Sequence, residues 1–282
     1  MRIAVTSDIH IDKNGEETLR ELVAKIGSLS PDVLVVAGDV ATSPTTLFAT
    51  LLALKQAAPE VVFVAGNHDV WNHPSLAASG QTAWWKLDGI LPALCAEAGV
   101  HDLDAGPVVI DGVGFVGTLG WYDLSTRDAG LGAPDDAYAR GEFAGLKWMD
   151  HVYACFPDDA GRPMHCTAVA DRLRGRLAAQ LGACPAERIV GVTHMVQFEE
   201  QLLRKAHPGW RFAQAFIGHL RLGELLRGDA RVRLSVCGHT HHGSDHTFGS
   251  LRAVAAPLGY RHEWGGASAA EAVAQRVALA EL

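Results

Sequence analysis

Cysteine is scarce. The five present, Cys95, Cys155, Cys166, Cys184 and Cys237, form an odd set without a Cys-x-x-Cys pair, so nothing suggests a cysteine-based zinc or redox site, and the thiols are expected to be reduced and structural. Long apolar runs are missing too: none approaches the ~18 residues of a membrane helix. The N-terminus, Met1-Arg2-Ile3-Ala4-Val5, reaches Thr6-Ser7-Asp8 without the apolar stretch of a signal peptide. No membrane partner is expected, and the cytoplasm is the default location. Positive charge is in deficit, with 24 lysines and arginines against 32 acids and a net charge of −8, so no broad basic field awaits a phosphate backbone and nucleic acid is not expected as an obligate partner. With 48% hydrophobic and 20% charged residues, disorder, collagen and coiled coil are excluded. The 282 residues can bury a real core, and without a repeat, a low-complexity tract or a linker they read as a single domain, 1–282. What is abundant is histidine, fourteen in all.

Residues 2–6 form an apolar run, and Leu19, Leu22, Val23 and Ile26 then recur at helical spacing. The same unit repeats: Val33–Ala37 reads as a buried strand, and Ser43-Pro44 caps and opens a helix through Lys55. Val61–Ala65 is a third strand. Strands and helices in this alternation predict right-handed crossovers and a parallel core sheet. From Pro107 the pattern changes: Val108–Ile110 and Val113–Gly117 flank Asp111-Gly112 as a hairpin, and an antiparallel part is expected to begin there. Residues 121–164 read as a long irregular excursion. Helices over about 167–181 and 216–226, and strands over 188–192 and 232–236, restore regular structure, while the alanine-rich tail from Ala267 has no evident assignment.

The strand ends carry the chemistry. The first run leads to Asp8-Ile9-His10, the second to Gly38-Asp39, the third to Gly66-Asn67-His68-Asp69, the fourth to Thr193-His194 and the fifth to Gly238-His239-Thr240-His241. Open α/β sheets place their ligands at this edge. A single Asp-x-His triplet arises by chance in many chains, but metal-ligating side chains at five strand ends out of five do not. Imidazoles suit zinc, iron, manganese, cobalt or nickel, and a carboxylate can bridge two such ions; a magnesium-only or calcium site would be built of oxygens. The glycines before Asp39, Asn67 and His239 are expected to let the backbone approach the metals closely.

In these blocks the sequence resembles the calcineurin-like metallophosphoesterases, whose pattern is Asp-x-His, Gly-Asp, Gly-Asn-His-Asp/Glu, a single His and Gly-His-x-His. Every block occurs in order between residues 8 and 241. The resemblance implies an α/β fold with two mixed β-sheets packed as a sandwich and flanked by helices. It implies two divalent transition-metal ions, one on Asp8, His10, Asp39 and His241, the other on Asp39, Asn67, His194 and His239, with Asp39 as the bridge. A water or hydroxide between ions about 3.5–4 Å apart would be the nucleophile. His68 would protonate the leaving oxygen or stabilise the charge growing on it, and Asp69 would orient a histidine or serve in a turn or cap.

Around that pattern, Met195-Val196-Gln197-Phe198 departs from the family stretch after the single His, so the local pocket does not transfer. His242 is expected to be exposed or beside the ligands, and His73, His207, His219, His246 and His262 to be surface or loop residues. Pro257-Leu258-Gly259-Tyr260 resembles a family segment with a structural role. The excursion 121–164 is the candidate cap over the substrate, with Trp121, Tyr122, Arg127, Arg140, Trp148 and Tyr153 able to stack a ring or grip a phosphate, or else to form a satellite core. Trp71, Trp84 and Trp85 pose the same choice.

The expected activity is hydrolysis of a small-molecule phosphate ester, monoester or diester. A nuclease is disfavoured by the acidic balance, and a non-catalytic metal-binding module predicts lost ligands or a lost His68, whereas none is lost. An amidohydrolase would need its His-x-His pair on the first strand of a barrel, not near residue 240. No motif bears on oligomeric state.

Overall fold

The apolar runs at the N-terminal end become β1 (Arg2–Thr6), β2 (Val33–Ala37) and β3 (Glu60–Val64) in the structure, a computed structural model that describes residues 1–77 and 79–282. They pair in parallel, with Ile3 opposite Val33 and Val33 opposite Glu60, and a short β4 (His101–Asp102) continues the sheet beyond β3. The predicted hairpin is present as β5 (Val108–Ile110) and β6 (Val113–Thr118), turned through Asp111 and Gly112, both at positive φ. A two-stranded ribbon, β7 (Glu142–Phe143) and β8 (Leu146–Lys147), lies within the excursion. β9 (Arg188–Thr193), β10 (Val232–Cys237), β11 (Ser244–Phe248), β12 (Leu251–Ala255) and β13 (Ala278–Glu281) complete the strands of the described residues.

Two large sheets result. One has the order β13-β1-β2-β3-β4, the other β11-β12-β10-β9-β6-β5. The antiparallel expectation after Pro107 needs correction. β6 runs parallel to β9, β9 to β10 and β10 to β12, and within these two sheets the antiparallel strands of the described residues are the edge strands β5, β11 and β13. A hairpin turn fixes the direction of its own two strands and nothing further. The unassigned tail is the helix Ala269–Arg276 and β13, which closes the first sheet against β1. The helix expected from Phe216 starts at Leu220, after a 3₁₀ turn over Gln214–Phe216.

The alternation along each strand explains the layers. Ile3, Val5, Val33, Val35, Val62 and Val64 face Phe115, Val190, Val192 and Val236 in a dry layer between the sheets. Their neighbours Ala4, Leu34, Val36 and Phe63 point the other way, under Leu22, Ile26, Leu47 and Leu51 of the covering helices. Val116 and Ile189 of the second sheet pack likewise under Leu177 and Leu226. Strands covered on both faces must be apolar throughout, which is why β2 reads Val-Leu-Val-Val-Ala. The architecture is the expected helix-flanked sandwich of two mixed sheets.

The C-terminal ends of β1, β2, β3, β9 and β10 gather at one end of the sandwich, where the sheets are tied together. Asp104 accepts from Ala65 N–H at 3.0 Å and Leu119 N–H at 2.7 Å, joining the exits of β3 and β6. Leu258 N–H donates to Ser7 O at 2.8 Å, and Ser7 pairs with Pro257 in an isolated bridge, so the chain after β12 lies against the exit of β1.

Candidate metal centre

Leaving β1, the chain must turn at once to point Asp8 and His10 into the space between the sheets. It does so through left-handed backbone at Asp8 (φ 52°) and His10 (φ 44°), and the same device recurs at Asp39 (55°), His239 (74°) and His241 (52°). Asp and His tolerate this region better than β-branched residues, yet each such residue costs roughly 1 kcal/mol or more. Five of the seven residues expected to hold metal are bent in this way. The glycines supply the remaining room. A Cβ at position 66 would collide with the backbone N and Oδ1 of Asp39, and one at position 238 would lie 2.6 Å from Asp8 Oδ2.

The side chains converge in two overlapping sets. Asp8, His10 and His241 bring ligand atoms within 4.8 Å of one another, as do Asp39, His194 and His239; His10, Asp39 and His68 form a third such group between them. His10 Nε2 and His241 Nε2 are 3.0 Å apart, and His194 Nε2 stands 3.0 Å from Asn67 Oδ1 and 3.2 Å from His239 Nδ1. Asp39 Oδ2 is 3.6 Å from His10 Nε2 and 3.5 Å from His194 Nε2, between the sets. Contacts across the sheets hold the arrangement: His239 N–H donates to the Asp8 carboxylate at 2.9 Å, and His194 Nδ1 lies 2.8 Å from Ala37 O.

The electrostatics ask for cations. Burial drives His10 down to about 3 and His239 well below the usual imidazole range, leaving both as neutral lone-pair donors. Burial opposes charge on His194 as well, but Asp39 outweighs it and raises that imidazole to about 10. Burial would likewise raise Asp39, yet His194 and His68 hold its carboxyl well below the ordinary value. The neutral imidazoles of His10 and His239, the buried carboxylates and an amide oxygen at these separations fit the nitrogen and oxygen preferences of divalent transition metals.

Of its two expected roles, Asp69 takes the turn and cap. Its buried carboxylate accepts from Asp39 N–H at 2.8 Å, Val40 N–H at 2.9 Å, Ala41 N–H at 3.0 Å and Gly66 N–H at 2.7 Å, and no imidazole is among these partners. Asp69 therefore clamps the loop after β2 to the loop after β3 and holds no histidine ring. The residue that does is Glu263, whose Oε2 lies 2.7 Å from His241 Nδ1. Tyr260 also exceeds its expected structural role: its ring stacks on His10 at 4.5 Å and its hydroxyl stands 3.5 Å from His68 Nε2. His68 stacks on Trp71 at 3.7 Å, while its backbone N–H donates to Asp39 Oδ1 at 2.8 Å.

The excursion divides sharply. Only residues 146–150 of it border the 580 Å³ cleft over the centre, together with Trp71, Trp210 and Tyr260. Trp121 and Tyr122 are core, Tyr153 packs near Trp71, and Arg127 and Arg140 are exposed in ion pairs with Asp135 and Asp136, so the cations facing the cleft are Lys147 and Lys205. Trp84 lies under Arg172 and Arg176, and Trp85 is exposed. The stretch Met195–Phe198 is buried, with Gln197 donating to Thr193 Oγ1 and Val236 O. His242, His73, His207 and His262 are exposed and His246 is half-buried. His219 is not a surface residue: it is fully buried, with Nδ1 2.9 Å from Trp121 O and Nε2 3.5 Å from Asp123.

A two-sheet sandwich with clustered aspartates and histidines at one end is the architecture of the metallophosphoesterases. The chain belongs to the calcineurin-like phosphoesterases: the sequence profile of that family matches residues 1–140, which hold the blocks from Asp8 to Asp69. Phosphoester hydrolysis is the general chemistry of the family. Among solved structures, phosphopantetheinyl hydrolase from Mycobacterium tuberculosis superposes with a TM-score of 0.71 at 20% identity, over 93% of this chain and 91% of that one. A dimetal phosphatase from Danio rerio gives a TM-score of 0.48 at 14% identity, over 90% and 86%. No curated protein matches the chain. Among the described residues, no helix is long and apolar enough to cross a membrane.

Proposed function

We propose that this protein hydrolyses a small-molecule phosphate ester at a pair of divalent transition-metal ions, manganese, iron, zinc, cobalt or nickel. Asp8, His10, Asp39 and His241 would hold one ion, and Asp39, Asn67, His194 and His239 the other. The observation that carries this reading is Asp39, whose Oδ2 lies within 3.6 Å of an imidazole from each set. When bound, such ions supply charge stabilisation at the phosphoryl oxygens and activate water as the nucleophile.

The chain supplies the rest. His68 faces the cleft beside Asp39, with its backbone tied to the Asp39 carboxylate and its ring supported by Trp71, so it is held where a leaving oxygen would need a proton or a hydrogen bond. The substrate's alcohol would lie in the cleft against Trp71, Trp148, Trp210 and Tyr260, with Lys147 and Lys205 available to an anionic group. On this reading residues 1–282 form one catalytic domain, and the excursion 121–164 caps it through residues 146–150 alone.

Metal-stripped protein resupplied in turn with manganese, zinc, iron, cobalt, nickel and magnesium, and assayed on paired chromogenic phosphate monoesters and diesters, tests the proposal. A phosphopantetheinyl ester belongs in the panel, because the neighbour of highest overlap above is named for that substrate. Turnover restored by a transition metal is expected. No turnover on any ester with two ions demonstrably bound would overturn the catalytic reading in favour of a binding module.

A further inference from the structure

The excursion sends one carboxylate into the centre. Asp150 opens a short helix, Asp150–Tyr153, and is 1% exposed, yet no lysine or arginine pairs with it. Three N–H groups converge on it instead. Oδ1 accepts from Asn67 Nδ2 at 2.8 Å and from Trp71 Nε1 at 2.6 Å, and Oδ2 accepts from Trp148 Nε1 at 2.9 Å.

Each donor belongs to a different working part. Asn67 is an amide with two ends; because Nδ2 is committed to Asp150, Oδ1 is the end that faces His194 Nε2 at 3.0 Å. Trp71 is the ring stacked on His68. Trp148 stacks on Phe216 at 5.3 Å and meets His239 edge-on at 6.2 Å. Asn72 N–H to Tyr153 O at 2.8 Å and Ala83 N–H to Cys155 O at 2.8 Å dock the same stretch of the excursion on the loop after β3.

We infer that Asp150 is a positioning residue of the metal centre: its carboxylate selects the orientation in which Asn67 presents oxygen to the ion shared with His194 and His239, and it fixes the two indoles beside His68 and His239. This inference rests on the assignment of Asn67 as a ligand. A carboxylate suits the task because it only accepts. An asparagine in its place keeps one acceptor oxygen and turns an N–H₂ toward either Trp148 or the Asn67 and Trp71 pair, so the three donors can no longer all be satisfied and the hold on Asn67 is weakened. Outer partners of metal ligands typically matter by about 10–100-fold in metal affinity or activity.

The test is metal titration of the stripped full-length protein by calorimetry with manganese, together with kcat and KM on a chromogenic diester. Wild type is expected to take two ions. Asp150→Asn is expected to keep the Asp8, His10 and His241 ion and to bind the other about 10–100-fold more weakly, with kcat falling more than KM rises. A folded Asp150→Asn protein that binds both ions at wild-type affinity would overturn the inference. Should Asp150→Asn not fold, N67D and the double variant N67D/D150N decide. The single change sets two carboxylates against each other, whereas the double change restores a donor and an acceptor, so the second ion should return in part; no recovery would overturn the inference. A wild-type titration showing fewer than two ions would instead overturn the ligand assignment and this inference with it, and that failure is visible without any variant.

Discussion

The floor of the cleft and its wall are built on different terms. The floor is five strand ends from two sheets, each delivering Asp, Asn or His within a few residues of the last paired position, and its bends lie at left-handed Asp8, His10, Asp39, His239 and His241. The wall is an irregular excursion, of which only residues 146–150 reach the cleft. In the floor, function is fixed by spacing along the chain; in the wall, the carboxylate of Asp150 meets side chains 79 and 83 residues away. Strain can be concentrated in the floor because the dry layer between the sheets over-determines the strand positions.

Asp39→Asn should do the most damage to the floor. It removes the carboxylate between the two imidazole sets, and loss of several kcal/mol of transition-state stabilisation should lower kcat by about 10³-fold or more, with two-ion binding abolished in calorimetry. Next comes His68→Ala, which should spare metal content and reduce kcat by about 10²–10⁴-fold, most on an ester with a poor leaving group. Full activity of that variant on such an ester would refute the acid role. Glu263→Gln weakens the hold on His241 and should cost about 10-fold in affinity for the ion that His241 binds, read by metal titration. The smallest effect is expected at Arg140→Ala. Its ion pair with Asp136 is exposed, so thermal unfolding should shift by less than about 1 kcal/mol and KM should stay unchanged. A large KM change there would mean that the excursion grips substrate through its outer arginines.

Legibility follows the same division. The strands β1, β2, β3, β9 and β10 were readable because strands buried on both faces must be apolar and because their ends carry ligand types in a fixed order. The glycines at 66 and 238 were readable too, since close backbone approach leaves no alternative residue. Asp150 was not: nothing in Met149-Asp150-His151 marks a carboxylate that will meet Asn67 from 83 positions away. Glu263 and Tyr260 escaped for the same reason, since their partners His241, His10 and His68 are assembled by the return of the chain after β12. The motif leaves Asp69 a choice between a histidine and a turn or cap, and the turn after β2 decides it by leaving three adjacent N–H groups facing its carboxylate. His219 reads as a surface or loop histidine because the amphipathic helix that follows it gives no sign of the Trp121 carbonyl that meets its buried ring.

The most direct measurement is anomalous diffraction from crystals of the full chain loaded with manganese. Two peaks flanking Asp39 are expected, one among Asp8, His10 and His241 and the other among Asn67, His194 and His239. A single peak that leaves either group of side chains unligated, or no peak at this end of the sandwich, would contradict the two-ion centre.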